Sequence, residues 1–308
     1  MEGGVLGWNM GLKTKGKAAL LILAAIVLLA VLFFSALAQK PAKQGEVQFA
    51  RVDDIKIAFK TFGEGEPVIL IMGFSGTMDV WDEGFIKSLA ARHKVIVFDN
   101  RGMGLTSSSS KNYTVETLGD DTAGLMDAIG VQRAHVVGWS MGTYIAQELA
   151  LRHPEKVDKL VLYAADCGGK EAVMPSDEVL QKLGDTSGSP EERGKRTFGL
   201  LFPQEWLQEN PDPGKFFPDV VETSSPESIN RQNEAWMEWQ GACSRLSRIT
   251  QPTLLITGTD DILTPPENSR MMAKLLPNAT LVEMPGGGHG LIFQNLGFAE
   301  KVIDFIKR

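Results

Sequence analysis

The chain has 308 residues, of which 43% are hydrophobic and 22% are charged, an ordinary composition for a globular protein. Its formal net charge is −7, but residues 1–43 carry five lysines against one glutamate, so the acidic charge is concentrated in the remainder. An acidic body without a basic stripe argues against nucleic-acid binding, and we expect no nucleic-acid partner.

An uncharged apolar run occupies residues 18–38, directly after Lys13, Lys15 and Lys17. A helix of this length, at about 1.5 Å per residue, spans a hydrocarbon core of roughly 30 Å. The lysines before it favour a cytoplasmic N-terminus, which would place everything after the run outside the cytoplasm. The sequence therefore predicts a basic region at 1–17, a transmembrane or signal segment at 18–38 and a polar linker at 39–45.

Two fates of the apolar segment remain open. It ends in Ala36-Leu37-Ala38, which fits a signal-peptidase site. A signal h-region is usually about 7–15 residues long, and this run is longer, so we favour an uncleaved anchor that attaches the protein to a membrane. The expected location is a membrane anchor with an extracytoplasmic domain, and the alternative is secretion after cleavage following Ala38.

From residue 46 onward, short apolar runs alternate with amphipathic stretches. VQFARV and IKIAFKTF, separated by Asp53-Asp54, predict an opening hairpin. Continuous apolar runs are typical of strands buried on both faces, and they occur at 67–72, 94–99, 134–139, 159–164, 253–258 and 280–284. Helices are predicted at Asp82–Arg92, Val115–Ile129, Met141–His153, Pro266–Leu276 and Leu291–Lys307. The alternation predicts an α/β domain over 46–308 with a mostly parallel sheet covered by helices on both faces.

The alternation fails at about 167–248, a stretch rich in Pro, Gly, Ser and Glu. It is too long for a plain loop. A disordered insert is the alternative, but this stretch also contains aromatic residues that need burial, namely Trp206, Phe216, Phe217, Trp236 and Trp239. We therefore predict an inserted, mainly helical cap.

The two cysteines, Cys167 and Cys243, lie at the two ends of this predicted cap. They are too few for a disulfide scaffold and lack the spacing of a metal site. A disulfide between them is chemically allowed if the domain lies outside the cytoplasm. Two separate buried thiols are the alternative, which we slightly prefer on the sequence alone.

Ser140 is the candidate nucleophile. It stands in GWSMG (138–142), which follows a predicted strand and opens a predicted helix. A sharp strand-to-helix turn needs small flanking residues because the serine must sit in a strained conformation with its hydroxyl exposed. The alternative, a helix N-cap, is a common role for serine but leaves the flanking glycines unexplained.

A serine hydroxyl needs a base, and His289 is the candidate. It lies in a glycine-rich loop, PGGGHG, between the last predicted strand and the last predicted helix. The other histidines stand at element ends and are assigned structural roles: His93, His135 and His153.

The base needs an acid that orients it. Asp261 follows the predicted strand 253–258, at the carboxyl end where sites collect in open α/β sheets. Asp260 is the second candidate and Asp166 the third. The chain order Ser140, Asp261, His289 is the order expected of a strand–nucleophile–helix hydrolase fold.

Two backbone N–H groups must bind the oxyanion of the tetrahedral intermediate. Met141, at the helix start, supplies one, and Phe74, in the loop after strand 67–72, is the best candidate for the other. Four tryptophans are candidates for the substrate pocket: Trp139, Trp206, Trp236 and Trp239.

These motifs together resemble the α/β-hydrolase superfamily. Five segments occur in that family's order: MGFSG (72–76), FDNRGMGLTS (98–107), GWSMG (138–142), GTDDILTPP (258–266) and GGGHG (286–290). The resemblance covers roughly 46–308 and implies an eight-stranded, mostly parallel sheet with a cap after the sixth strand. It places the family's nucleophile, acid and base on Ser140, Asp261 and His289, and its oxyanion amides on Phe74 and Met141. Many members have His-Gly where this chain has Met72-Gly73. The residue at this position is usually supportive rather than catalytic.

The resemblance implies a hydrolase that needs no cofactor and no metal ion and acts on a small-molecule acyl substrate. The pattern is similar to an esterase subgroup, so a carboxylic ester hydrolase is the expected function. The alternatives are an aminopeptidase for N-terminal proline, a cofactor-free haloperoxidase or perhydrolase, and a silent ligand-binding module. An aminopeptidase would place acidic cap residues near the site, with Glu205, Glu209, Glu234 and Glu238 available. The sequence leaves the oligomeric state open.

Overall fold

The computed structural model describes residues 44–220, 222–294 and 296–307. The predicted basic region 1–17 and the predicted transmembrane or signal segment 18–38 lie outside the described residues. Across the described ranges, no helix combines the length and the apolar character that a membrane span requires.

The domain is built on one eight-stranded sheet, as predicted. Its strands are β1 (Gln48–Val52), β2 (Ile55–Phe62), β3 (Glu66–Ile71), β4 (His93–Phe98), β5 (Ala134–Trp139), β6 (Val157–Tyr163), β7 (Thr253–Gly258) and β8 (Ala279–Met284). Their order is β1-β2-β4-β3-β5-β6-β7-β8. Strand β2 pairs antiparallel with β1 and with β4, and every other pair is parallel, so the carboxyl ends of β3 to β8 meet at one edge.

Helices cover both faces of the sheet. They are α1 (Glu83–Ala90), α2 (Val115–Ala128), α3 (Met141–Arg152), α4 (Asp177–Gly184), α5 (Pro190–Leu201), α6 (Gln204–Glu209), α7 (Pro226–Glu238), α8 (Pro266–Leu275) and α9 (Phe298–Lys307). Helix α1 begins where the Asp82 carboxylate accepts a bond from the Phe85 N–H, an N-cap that satisfies an otherwise unpaired donor.

Alternating side chains of the buried strands divide the core into two halves. In β3, Ile69 and Ile71 belong to one hydrophobic cluster, and Val68 and Leu70 belong to the other. This follows from the period of two in a strand, since successive side chains point to opposite faces. Continuous apolar runs therefore correctly predicted strands that are covered on both faces.

The C-terminal helix is shorter than the predicted Leu291–Lys307. A single 3-10 turn covers Leu291–Phe293, and α9 begins only at Phe298. Gly297 between them has φ 81°, a left-handed conformation that interrupts a right-handed helix. The apolar periodicity continues across the break, which is why the sequence predicted one helix.

The segment between β6 and β7 forms the helical insertion. It contains α4 to α7 and three 3-10 turns. Cys167 and Cys243, at its two ends, are joined in a disulfide with a Cα–Cα distance of 5.0 Å. The preference for two separate thiols was therefore wrong. The two positions are 76 residues apart in sequence, and only the folded arrangement brings them together, where the Ala242 N–H donates to the Cys167 carbonyl at 2.7 Å.

We expect the Cys167→Ser/Cys243→Ser double variant to lose about 4 kcal/mol of unfolding free energy, because the crosslink limits the entropy of a long loop in the unfolded chain. Urea unfolding of the oxidised full chain and of the double variant measures the difference. Reductant should bring the parent to the stability of the variant and leave the variant unchanged. Equal stabilities of parent and variant under oxidising conditions would contradict the disulfide.

Candidate active site

Ser140 occupies a sharp turn between β5 and α3. Its backbone has φ 55° and ψ −126°, a left-handed region that costs a non-glycine residue about 1–3 kcal/mol. Two glycines make the turn possible. A Cβ on Gly138 would lie 2.5 Å from the Gly142 carbonyl oxygen, and a Cβ on Gly142 would lie 2.1 Å from the Ile71 oxygen. The flanking glycines are thus required by backbone packing.

The turn is held by bonds on both sides of the serine. The Ser140 N–H donates to the Tyr163 carbonyl on β6 at 3.0 Å, and the Ser140 carbonyl accepts from the Thr143 N–H at 2.8 Å. The Ser140 side chain makes no cap bond to the helix. The hydroxyl is consequently left for chemistry, at the positive end of a twelve-residue helix that favours developing negative charge.

Asp261 and His289 form a hydrogen-bonded pair. His289 Nδ1 lies 2.9 Å from Asp261 Oδ2 and 3.2 Å from Oδ1. Oδ1 also accepts the N–H groups of Leu263 and Thr264 at 2.9 and 2.8 Å. The carboxylate is fully buried, so these three donors fix its direction and leave it aimed at the imidazole.

Close backbone packing brings the His289 loop to the end of β7. A Cβ on Gly258 would lie 2.0 Å from the Gly287 carbonyl oxygen, so only glycine allows the loop and the strand to approach this closely. The buried Tyr163 hydroxyl donates to the His289 carbonyl and anchors the loop to β6. The glycines therefore allow the loop that carries His289 to pack against the end of β7.

The other two acid candidates lie elsewhere. Asp260 is exposed and accepts a bond from the neighbouring Thr259 hydroxyl at 3.1 Å. Asp166 accepts from the Tyr144 hydroxyl at 2.6 Å and from the Gly168 N–H at 2.7 Å. Of the three candidates, only Asp261 is hydrogen-bonded to His289.

Ser140 and His289 line the same cavity. Among the described residues no hydrogen bond joins them, and this closing contact often tightens only when substrate is bound. The structure therefore contains the Asp261–His289 hydrogen bond fully formed, and Ser140 lines the same cavity as His289.

Phe74 and Met141 line the same cavity. Gly73 brings their two segments together: a Cβ there would lie 3.1 Å from Ser140 Cβ and 3.6 Å from the Met141 nitrogen. Asn100, from FDNRG, donates its amide to the Met72 carbonyl at 2.9 Å and fixes the start of the loop. Met72 itself is buried.

Gln232 is a residue that the sequence analysis missed. It lies on cap helix α7, is fully buried, and accepts the Ser75 N–H at 2.6 Å. It therefore ties the cap to the loop that carries the Phe74 amide. No local sequence pattern signals this contact, which joins residues 157 positions apart.

We expect Gln232→Met to lower kcat about tenfold with little change in KM, because removing the acceptor loosens the loop of Phe74, which the sequence predicts to supply one oxyanion donor. Gln232→Glu keeps an acceptor oxygen and should recover part of the loss. Asn233→Ala, at the exposed neighbouring position, is the matched control. A rise in KM with kcat unchanged would show that Gln232 acts in binding instead.

The cavity has a volume of about 840 Å³ and lies between the sheet edge and the cap. Trp139, Trp236 and Trp239 line it, as the sequence suggested for the pocket. Trp206 does not. Its ring stacks on Phe202 with centroids 4.4 Å apart, so it is used in packing the cap. The sequence could not separate these roles because both require an aromatic residue in the insertion.

The lining is mostly apolar and includes several charged groups. One carboxylate, Asp166, lies half-buried in the wall, and desolvation raises its pKa although the bonds from Tyr144 and Gly168 oppose this. Burial and the adjacent carboxylate raise the pKa of Tyr144 well above its usual value, so this hydroxyl remains a donor. Cations from the cap also line the cavity, namely Lys170, Lys182, Arg193 and Arg196.

This geometry is that of a nucleophile-elbow hydrolase on an open α/β sheet. Comparison with known proteins agrees: a family described as the alpha/beta hydrolase fold matches residues 66–296, and the chain belongs to this family. The chain is 33% identical over 229 residues to the "Putative carbamate hydrolase RutD" of Caulobacter sp. (strain K31), covering 73% of this chain and 84% of that protein. It is 30% identical over 253 residues to the "Putative non-heme bromoperoxidase BpoC" of Mycobacterium tuberculosis (strain CDC 1551 / Oshkosh), covering 80% and 93%.

Solved structures show the same fold. A hydrolase from Pseudomonas aeruginosa PA01 matches with a TM-score of 0.70 and 26% identity, covering 86% of this chain and 99% of that one. The enol-lactonase from Burkholderia xenovorans LB400 matches with a TM-score of 0.72 and 22% identity, covering 85% and 100%. The resemblance expected from the five motifs is thereby confirmed at the level of the family.

Proposed function

We propose that the protein is a serine hydrolase that cleaves carboxylic esters through an acyl-enzyme. One observation carries the proposal: His289, hydrogen-bonded to the buried Asp261, lines the same cavity as Ser140, which stands on a strained turn. Backbone strain and a buried acid–base pair are costly features, and their coincidence at one cavity is expected where chemistry occurs.

The proposed reaction begins when Ser140 Oγ attacks the ester carbonyl and its proton passes to His289 Nε2. The Phe74 and Met141 N–H groups bind the oxyanion of the tetrahedral intermediate. Collapse breaks the ester C–O bond, and His289 returns the proton to the leaving alcohol. Water then attacks the acyl carbonyl while His289 takes one of its protons. The bond from the acyl carbon to Ser140 Oγ breaks, His289 returns the proton to Ser140, and the acid is released. Asp261 keeps the Nδ1 proton directed toward itself and stabilises the imidazolium.

The size of the cavity bears on the substrate. At about 840 Å³ it lies toward the upper end of the usual range for small-molecule sites, about 300–1,000 Å³. An ester with a bulky acyl or ring-bearing group would fill this space. Size therefore favours a bulky acyl substrate over a small one.

Two other chemistries use the same nucleophile and stay as alternatives. A carbamate would react by the same acyl transfer, and the Asp166 carboxylate could accept its N–H group. Peroxide in place of water at the acyl-enzyme would give a peracid, the route to perhydrolase or haloperoxidase activity. The aminopeptidase alternative is weaker, because none of Glu205, Glu209, Glu234 and Glu238 is among the described residues that line the cavity.

A fluorophosphonate probe and a substrate panel test the proposal. We expect stoichiometric labelling of Ser140, identified by peptide mass, and turnover of p-nitrophenyl esters with an initial burst of one equivalent. The panel compares esters of increasing acyl length, dicarboxylic half-esters, carbamates and peracid formation with hydrogen peroxide. Absence of labelling would overturn the serine mechanism, and labelling with faster carbamate turnover would reassign the substrate.

We also propose that the catalytic domain works outside the cytoplasm, held by the segment at 18–38 or released after cleavage following Ala38. The Cys167–Cys243 disulfide supports this, because disulfides persist in oxidising compartments and are rare in the cytosol. The mass of the mature chain distinguishes anchor from signal peptide. Free thiols on the protein trapped directly from cells would contradict an extracytoplasmic location.

A further inference from the structure

Three polar side chains meet at the amino edge of the sheet, at the end opposite to Ser140. Glu66 and His93 begin β3 and β4 and are register partners, and His135 lies beside them near the start of β5. The sequence analysis gave both histidines separate structural roles. Because β4, β3 and β5 are neighbouring parallel strands, their first residues share one edge although the residues are far apart in the chain.

Both imidazoles are buried, and three of their ring nitrogens make no hydrogen bond within the described residues, although Asp158 Oδ2 lies 3.2 Å from His135 Nδ1. His93 is only 6% exposed, and neither Nδ1 nor Nε2 has a hydrogen-bond partner within the described part of the chain. His135 is only 3% exposed, and its Nδ1 is also without a hydrogen bond. A buried polar group without a partner is costly, so the two unpaired nitrogens of His93 call for an explanation.

We propose that Glu66, His93 and His135 bind one divalent metal ion of the zinc type. One ligand atom from each residue can be chosen such that all three lie within 4.8 Å of one another. Tetrahedral ligands at bond lengths of about 2.1 Å lie about 3.4 Å apart, so the shift required is small. The Glu66 side chain is 79% exposed and can move inward without disturbing the core.

Asp158 supplies a further group. Its Oδ2 lies 3.2 Å from His135 Nδ1, where it can orient this ring as carboxylates do for metal-bound histidines. Two imidazoles and a carboxylate suit Zn²⁺ and its transition-metal neighbours better than Mg²⁺ or Ca²⁺, which prefer oxygen ligands.

Simple ring packing is the competing explanation. The two rings meet edge to face with centroids 6.0 Å apart, which accounts for their burial. It leaves both ring nitrogens of His93 unpaired, and it gives no reason for the Glu66 carboxylate at the same place. A bound ion would take one nitrogen of each ring and fasten three central strands together. It would be remote from the ester-cleaving site and take no part in catalysis.

The test uses the full chain without a histidine tag, in a mild nonionic detergent and after treatment with a chelator. Calorimetric titration with Zn²⁺ is expected to show one site, Co²⁺ should give the visible absorption of an imidazole-bound ion, and Tm should rise with the logarithm of free Zn²⁺. Glu66→Gln, at an exposed side chain, and His93→Asn should each weaken Zn²⁺ binding by at least about tenfold, since even outer-shell changes cost that much.

Controls separate this site from adventitious binding. Glu64→Gln, at an exposed side chain two residues away, and His153→Asn, on another surface, should bind Zn²⁺ as the parent does. Absence of one-to-one binding would overturn the proposal. Equal affinity in the parent and Glu66→Gln would also overturn it, and this variant is decisive if His93→Asn does not fold.

Discussion

Replacement of Ser140 by alanine is expected to reduce kcat/KM for p-nitrophenyl esters by at least about 10⁴-fold, because the acyl-enzyme can no longer form. Alanine keeps the Cβ at φ 55°, so the strain and the turn are unchanged and the variant should fold with the stability of the parent. Fluorophosphonate labelling should disappear with the activity. Steady-state kinetics and thermal unfolding of the same preparation measure both effects.

A glycine at position 140 separates chemistry from structure. Ser140→Gly should be as inactive as the alanine variant but more stable by about 1 kcal/mol, because glycine accepts the left-handed backbone without strain. Ser75 provides a matched control. It also has a positive φ and lines the cavity, but its hydroxyl makes no hydrogen bond among the described residues, so Ser75→Ala should retain activity within about tenfold. Activity that survives in Ser140→Ala would exclude the proposed mechanism.

Local sequence patterns were sufficient to predict the buried strands of the sheet. Buried parallel strands are apolar on both faces, and a run such as 134–139 therefore stands out without tertiary information. The turn at Ser140 was predictable for a related reason. Its backbone can adopt φ 55° only between residues that leave room, and glycines at 138 and 142 are visible in the sequence.

The choice of Asp261 over Asp260 depended on more than local sequence. Both stand at the carboxyl end of β7, and only the direction of the side chain distinguishes them. The Leu263 and Thr264 N–H groups turn the Asp261 carboxylate inward, while Asp260 remains exposed. Family order favoured the same residue, but the hydrogen-bond pattern supplies the physical reason.

Contacts between distant segments could not be predicted from the chain. The Gln232–Ser75 bond, the Cys167–Cys243 disulfide and the meeting of His93 with His135 all join residues from separate elements. Each depends on how the strands are ordered and on how the cap folds back. The cap has no repeating pattern from which its packing could be inferred, so Trp206 was assigned to the pocket when it stacks within the cap.

Asp261→Asn is expected to lower kcat by about 10⁴-fold while leaving the fold intact. The asparagine oxygen can still accept the Leu263 and Thr264 N–H groups, and this directs its NH₂ group at His289 Nδ1. Nδ1 must then accept, so the imidazole proton moves to Nε2, and the nitrogen that should take the serine proton is already protonated. Asp260→Asn, one residue away and exposed, should stay within about twofold of the parent. If Asp260→Asn carries the large loss and Asp261→Asn the small one, the buried pair is structural and the acid has been assigned to the wrong residue.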